Sequence, residues 1–256
     1  MLAGVLEIVA LLLVGVAAGA LNAAGGGGTF VALPALVAAG LPPVTANAST
    51  TVALLPGSVA SAWTYRRDVR PVGATSQRSL TAVSLLGGGL GAGLLLLLPA
   101  ASFDAAVPWL LAFATVVLAF GRQLSRRLTE ALGRPVGLGP RAILASQFVL
   151  AIYGGYFGGA VGILMLALWS VGLGLDTAAG NPMRVTQLAA VWGTAAVFFL
   201  VAADVLDYPL PLIAVLVGAA ASGLAGAKLV RRLPARVLRR TVLTVAVTMT
   251  ALYALG

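Results

Sequence analysis

Apolar runs of about twenty residues recur from one end of this chain to the other, and that pattern constrains the fold most. They cover approximately 2–21, 28–39, 44–62, 80–98, 105–121, 142–175, 181–203, 209–227 and 237–255. Of the 256 residues, 60% are apolar and 9% charged, and mean hydropathy is +1.04. A soluble domain carries about a quarter charged residues, so this chain cannot cover a water-facing surface. Disorder is excluded as well, because it requires low hydrophobicity. The sequence predicts an all-α polytopic membrane protein. The first segment, MLAGVLEIVALLLVG, lacks a basic start and carries Glu7, so it reads as a retained membrane segment.

Two zero counts remove whole classes of chemistry. There is no His and no Cys. Ser-His and Cys-His nucleophiles, disulfides, thiol redox and nearly all zinc sites go with them. No phosphate-binding G-x-x-x-x-G-K-[ST] occurs. An enzyme is therefore not expected, nor is a cofactor. The net charge of +9 fits basic loops held on the cytoplasmic side better than a nucleic-acid surface. The expected partners are a small anion and the lipid bilayer, with a homo-oligomer allowed and no nucleic acid.

The most polar stretch, RQLSRRLTEALGRPVGLGPR at 122–141, reads as a cytoplasmic linker loop. It separates a first unit, 1–121, from a second, 142–256. The two resemble each other. At an offset of 134, Gly40-Leu41 matches Gly174-Leu175, Asn47 matches Asn181, and Gly89-Leu90 matches Gly223-Leu224. With a slip of two, Gly19 matches Gly155 and Gly26 matches Gly162. The charges do not repeat. Arg66, Arg67 and Arg70 fall on Leu200, Val201 and Asp204, whereas Leu94, Leu97 and Leu98 fall on Lys228, Arg231 and Arg232. Repeats inserted in opposite directions exchange their basic loops in this way. The expectation is two inverted repeats, each a Gly-broken helical hairpin plus three membrane-spanning helices. If segments 2–39 and 142–175 each return to the side they left, loops 63–79, 122–141 and 228–240 share the cytoplasm, with Asp104, Asp204 and Asp207 opposite. Each broken segment is then either two half-helices or two full passes.

Gly25 to Gly28 cannot hold a helix, since each glycine costs about 1 kcal/mol relative to Ala. Broken backbone at membrane depth is tolerated only inside protein or along a cavity. A helix restarting at Gly28 and Thr29 presents unpaired N–H groups and a positive dipole end to an anion. YGGYFGGAVG, 153–162, is a milder version and also contains the G-x-x-x-G spacing of close helix packing. Beyond each break an Asn opens the next helix. Asn47 and Asn181 serve there as caps, or as ligands meeting across the pseudo-twofold axis with their neighbours. The candidate substrate-binding residues are Asn22, Gly26, Gly27, Gly28, Thr29, Asn47, Ser49, Thr50, Asn181, Arg184 and Gln187. Arg184 is either a cytoplasmic anchor or an anion ligand. Glu7 either reaches the interface or couples transport to protons.

At these residues the chain resembles the sulfite exporter TauE/SafE family. The resemblance rests on Gly26-Gly27-Gly28 with Phe30, Pro34 and Leu36, on the Gly-Leu-Pro-Pro turn at 40–43, and on LLPGSVASAWTYRRD. The Asn181 helix and GAKLVRRLPARVLRR extend it over about 15–255. Ile163 and Leu164 depart from the pattern, standing where more glycine is usual, and Arg184 stands where many members have Lys or a polar residue. The resemblance implies a secondary transporter of small sulfur-containing anions such as sulfite or sulfonates. It also implies the bacterial inner membrane and an ion gradient as the driving force. A passive anion channel and a non-transporting scaffold subunit remain the alternatives.

Overall fold

The computed structural model describes residues 2–24, 27–133 and 135–230, and Thr244. The expected last segment, 237–255, and the basic residues 231–240 lie outside the described residues, apart from Thr244. The described residues form α1 (Leu2–Ala24), α2 (Thr29–Ala38), α3 (Pro43–Tyr65), α4 (Gln77–Leu97) and α5 (Ala100–Leu132). The second half contributes α6 (Pro140–Tyr156), α7 (Val161–Leu173), α8 (Thr177–Ala202), a 3-10 turn at Asp204–Asp207, and α9 (Pro209–Val230). Among the described residues, four helices carry spans long and apolar enough to cross a bilayer: Gly4–Asn22, Gln77–Leu97, Ala100–Gly121 and Ala178–Ala202. Large apolar side chains such as Leu97, Trp109 and Val201 stand fully outward. Water would penalise that surface and lipid accepts it, so the chain is an all-α, multi-pass membrane protein.

Both breaks fall where the glycines predict. α2 and α7, at 10 and 13 residues, are shorter than the roughly 20 needed to span, so each broken segment contains one short helix. α7 comes back to the end where α6 began. Val136, Gly137 and Leu138 donate their N–H groups to the carbonyls of Val171 and Gly172 at 3.0–3.1 Å. Gly73, in the α3–α4 loop, packs on Leu173. The approaches to α4 and α6 and the end of α7 are thus gathered at one end of the bundle.

Two local expectations need correction. Residues 122–132 are not loop but the continuation of α5. The stretch is rich in Leu, Arg, Gln and Glu, all good helix formers. Arg126 and Glu130 pair at i,i+4 with 3.1 Å between Nε and Oε1, and Gly133 stops the helix at φ 64°. Among the described residues of 122–141, only Gly133 and the Gly- and Pro-rich 135–139 are irregular. Nor do the asparagines open their helices. α3 starts at Pro43, whose fixed φ suits a first turn, which leaves Asn47 in the second turn. α8 is capped by Asp176, whose carboxylate accepts from the N–H groups of Ala178 (2.9 Å) and Ala179 (3.3 Å).

α3 and α8 cross at the centre. α1 packs on α9 and α4 on α6; α9 also lies on α3, and α4 on α8. α2 rests against α1 and α3, α7 against α6 and α8. Exchanging α1 with α6, α2 with α7, α3 with α8 and α4 with α9 returns the same contacts among these eight helices, whereas α5, which packs on α7 and α3, has no counterpart among the described residues. Because α3 is enclosed by its neighbours, residues 45–54 are buried on every face, polar ones included.

Candidate functional site

The α6–α7 break brings a strained turn and buried polar groups together in the second half. α6 ends as Phe157 donates to the Tyr153 carbonyl, and the chain turns through Gly158 (φ 81°) and Ala160 (φ 58°). Ala160 is the one described non-glycine with positive φ, a geometry costing about 1–3 kcal/mol that packing must offset. The Tyr153 hydroxyl fastens the turn by donating to the Gly159 carbonyl at 2.7 Å. α7 then begins, its first N–H groups carrying the positive end of the helix dipole.

Arg184 is brought to that helix start. It is fully buried, and its Nε donates to Asn181 Oδ1 at 2.9 Å, one turn back on α8. Its guanidinium lies against Gly162 in the first turn of α7, where an added Cβ would come within 2.7 Å of Nη1. A buried guanidinium loses several kcal/mol of hydration and must recover it from polar partners. A guanidinium beside a helix N-terminus concentrates positive potential in a water-poor place, which suits an oxyanion.

The first half approaches the same break through Asn47, whose Nδ2 donates to the Tyr156 carbonyl at 2.9 Å. Asn47 Oδ1 and Ser49 Oγ are buried without a partner among the described residues. Thr50 and Thr51 turn their hydroxyls back to the carbonyls of Ala46 (2.8 Å) and Asn47 (3.3 Å), so their hydrogens are engaged within α3.

The other candidates lie apart from this corner. Asn22 is buried and donates to Ser58 Oγ at 2.9 Å, tying α1 to α3. Thr29 and Gly27 are buried at the start of α2, while Gly26 lies outside the described residues. Gly28 has a packing reason to be glycine: an added Cβ would sit 2.5 Å from the Ala18 carbonyl and 3.0 Å from Leu54. Glu7 stands in the exposed stretch 4–10 at the start of α1. Gln187, fully buried, faces α4: its Oε1 accepts from Ser84 Oγ at 3.0 Å and its Nε2 donates to Thr81 Oγ1 at 3.2 Å.

Sequence reasoning missed Thr81, Ser84 and Gln147. Gln147 Nε2 donates to Ser84 Oγ at 2.9 Å, and both residues are fully buried. A signal was present: Gln147 is an uncharged polar residue inside the apolar segment 142–175, and such residues in membrane segments are rarely idle. A groove of about 630 Å³ also lies between the α5 extension and α7, lined by Gln123, Arg126, Arg127, Ser170 and Asp176 among others. No residue expected from sequence to bind substrate lines it.

The family model of the sulfite exporter TauE/SafE proteins matches residues 11–253. The chain belongs to the TauE/SafE family. No curated protein and no solved structure matches it. As a TauE/SafE protein it is a membrane transporter of sulfite or related anions. Among the described residues, Arg184 at the opening of α7 is the charged side chain buried inside the bundle.

Proposed function

We propose that this chain is a secondary transporter that binds a small sulfur oxyanion, sulfite or a sulfonate, at the α6–α7 break. The buried Arg184, set against Gly162 and oriented by Asn181, carries this proposal. The planar guanidinium donates to two oxygens of one oxyanion at once, while the α7 N-terminus adds partial charge without a further side chain. Asn181, its oxygen engaged by Arg184, has its amide hydrogens for a third oxygen. Asn47 closes the corner from the first half by holding the end of α6.

Two inverted repeats are part of the same proposal. The contact set that survives exchange of the halves supports them, as do the basic loops that trade places between halves. The protein is assigned to the bacterial inner membrane, with an ion gradient as the driving force. Glu7 is offered as the coupling carboxylate at the membrane interface, separate from the anion site.

The test is titration of purified protein with sulfite and with methanesulfonate, followed by thermal shift, since a ligand of the native state alone raises its stability. Arg184→Lys keeps the charge and loses the planar fork. It should weaken binding about ten- to hundredfold, the worth of one charge-assisted hydrogen bond. An unchanged affinity in a correctly inserted Arg184→Lys protein would make Arg184 an anchor and refute the site.

A further inference from the structure

The groove between α5 and α7 takes no part in the anion site, and its two walls differ in chemistry. It opens beyond the contact of α5 with the first turn of α7, where a Cβ added at Gly121 would lie 3.3 Å from Ile163 Cγ2. It closes at Asp176, where α7 gives way to α8. The α5 wall carries Gln123, Arg126 and Arg127, and the α7 wall carries Ile163, Leu166 and Ala167. At about 630 Å³ the groove has the size of a small-molecule site.

Depth and charge narrow the occupant. The apolar span of α5 ends at Gly121, so both arginines stand between one and two turns beyond it, where acyl chains give way to headgroups. Phe120, Leu124 and Leu128 follow one another at i,i+4 on the same stretch and are exposed, which gives this part of α5 a lipid-facing stripe beside the groove. Arg126 is paired with Glu130, and the Asp176 carboxylate is engaged by two N–H groups of α8. Arg127 has no carboxylate partner among the described residues. Residues 231–256 hold five arginines and no acidic residue, so that part of the chain supplies none either. The complementary charge comes from outside the chain.

We propose that the groove holds one anionic phospholipid of the adjoining leaflet, with its phosphate on Arg126 and Arg127 and the start of an acyl chain on Ile163, Leu166 and Ala167. A guanidinium donates to two phosphate oxygens at once, and basic pockets between membrane helices retain anionic headgroups in this way. A free phosphate would meet the arginines and leave the apolar wall uncovered. A zwitterionic lipid would cover that wall and bring its own cation against the arginines. An anionic lipid matches both walls. Seated there, it ties α5 to α7, the helix whose first turn lies against Arg184.

The test follows thermal unfolding of the full chain in a neutral maltoside detergent while short-chain phosphatidylglycerol, short-chain phosphatidylcholine or glycerol phosphate is titrated in. Phosphatidylglycerol should raise the melting temperature at concentrations where the other two do not. Arg126→Gln combined with Arg127→Gln should move its titration to about thirtyfold higher concentration, at about fivefold for each arginine near a headgroup. If the double variant does not purify, Arg127→Gln alone, at an exposed residue, decides with about a fivefold shift. Arg67→Gln combined with Arg70→Gln removes the same charge from exposed residues outside the groove and should leave the titration in place. Ala167→Phe narrows the groove without altering charge and should weaken phosphatidylglycerol as well. An unmoved titration in the groove variants, or an equal shift in the Arg67 and Arg70 variant, overturns the proposal, the second by reducing the effect to bulk charge. Glycerol phosphate as effective as the lipid would make the groove a free-anion site, and unaltered binding in Ala167→Phe would take the acyl chain off α7; either overturns it too. Because Arg184 is untouched throughout, the anion site stands or falls by its own test.

Discussion

Gly88→Ala and Gly93→Ala add the same methyl group to the same helix, α4, in different surroundings. At Gly88 the new Cβ would stand 2.5 Å from the Val191 carbonyl oxygen and 2.9 Å from Val191 Cα. These are backbone atoms of α8, so no side chain can swing aside, and Gly155 of α6 presses on Gly88 from another direction. α8 must retreat by about 1 Å to reach ordinary contact. At Gly93 nothing lies within 4 Å of the new Cβ. Both replacements gain about 1 kcal/mol of helix propensity. Only Gly88→Ala adds overpacking, about 1–3 kcal/mol. With roughly 2–4 °C per kcal/mol for a chain of this class, the two variants should melt about 2–12 °C apart, Gly93→Ala higher. The assay is thermal denaturation in one detergent at one scan rate, followed by loss of the monodisperse peak, because unfolding of such proteins is often irreversible. Equal melting temperatures, or a more stable Gly88→Ala, would show that α4 and α8 do not approach this closely.

Asp176→Ala removes the cap of α8 and should destabilise the protein by about 1 kcal/mol, with Asp176→Asn losing far less; parallel melting curves check this. Single cysteines at Asp68, Leu128 and Arg236 should be labelled by an impermeant reagent from the cytoplasmic side, and those at Asp104 and Leu206 from the other. Arg236 accessible from outside would sink the inverted-repeat arrangement. Glu7→Gln should leave anion affinity unchanged and flatten the pH dependence of concentrative flux, measured in vesicles under an imposed proton gradient. An unaltered pH profile removes Glu7 from coupling.

The helix positions were legible because the preference of a twenty-residue apolar run for lipid is local, and so is the cost of four consecutive glycines. The predicted segments fall within about five residues of the described helices, except that α5 runs on from 121 to Leu132. Two local signals misled because local rules compete. Asn47 and Asn181 resembled caps, but Pro43 and Asp176, nearer the true starts, set the first turns. The arginines of 122–132 suggested a loop, whereas their long side chains suit a helix projecting beyond the apolar span.

Solvent preference and backbone propensity belong to a stretch of residues, so the sequence alone determined the membrane class, the order of helices and the places where they break. Hydrogen-bond partners belong to the packed bundle. Gln147 meets Ser84 across 63 residues, Ser84 meets Gln187 across 103, and Asn47 meets Tyr156 across 109. Gly28 and Gly162 had the same sequence signature, yet one makes room for the α1 backbone and the other for a buried guanidinium. Only the tertiary structure decided these pairings, because what faces a side chain inside the bundle is set by the crossing of helices distant in sequence.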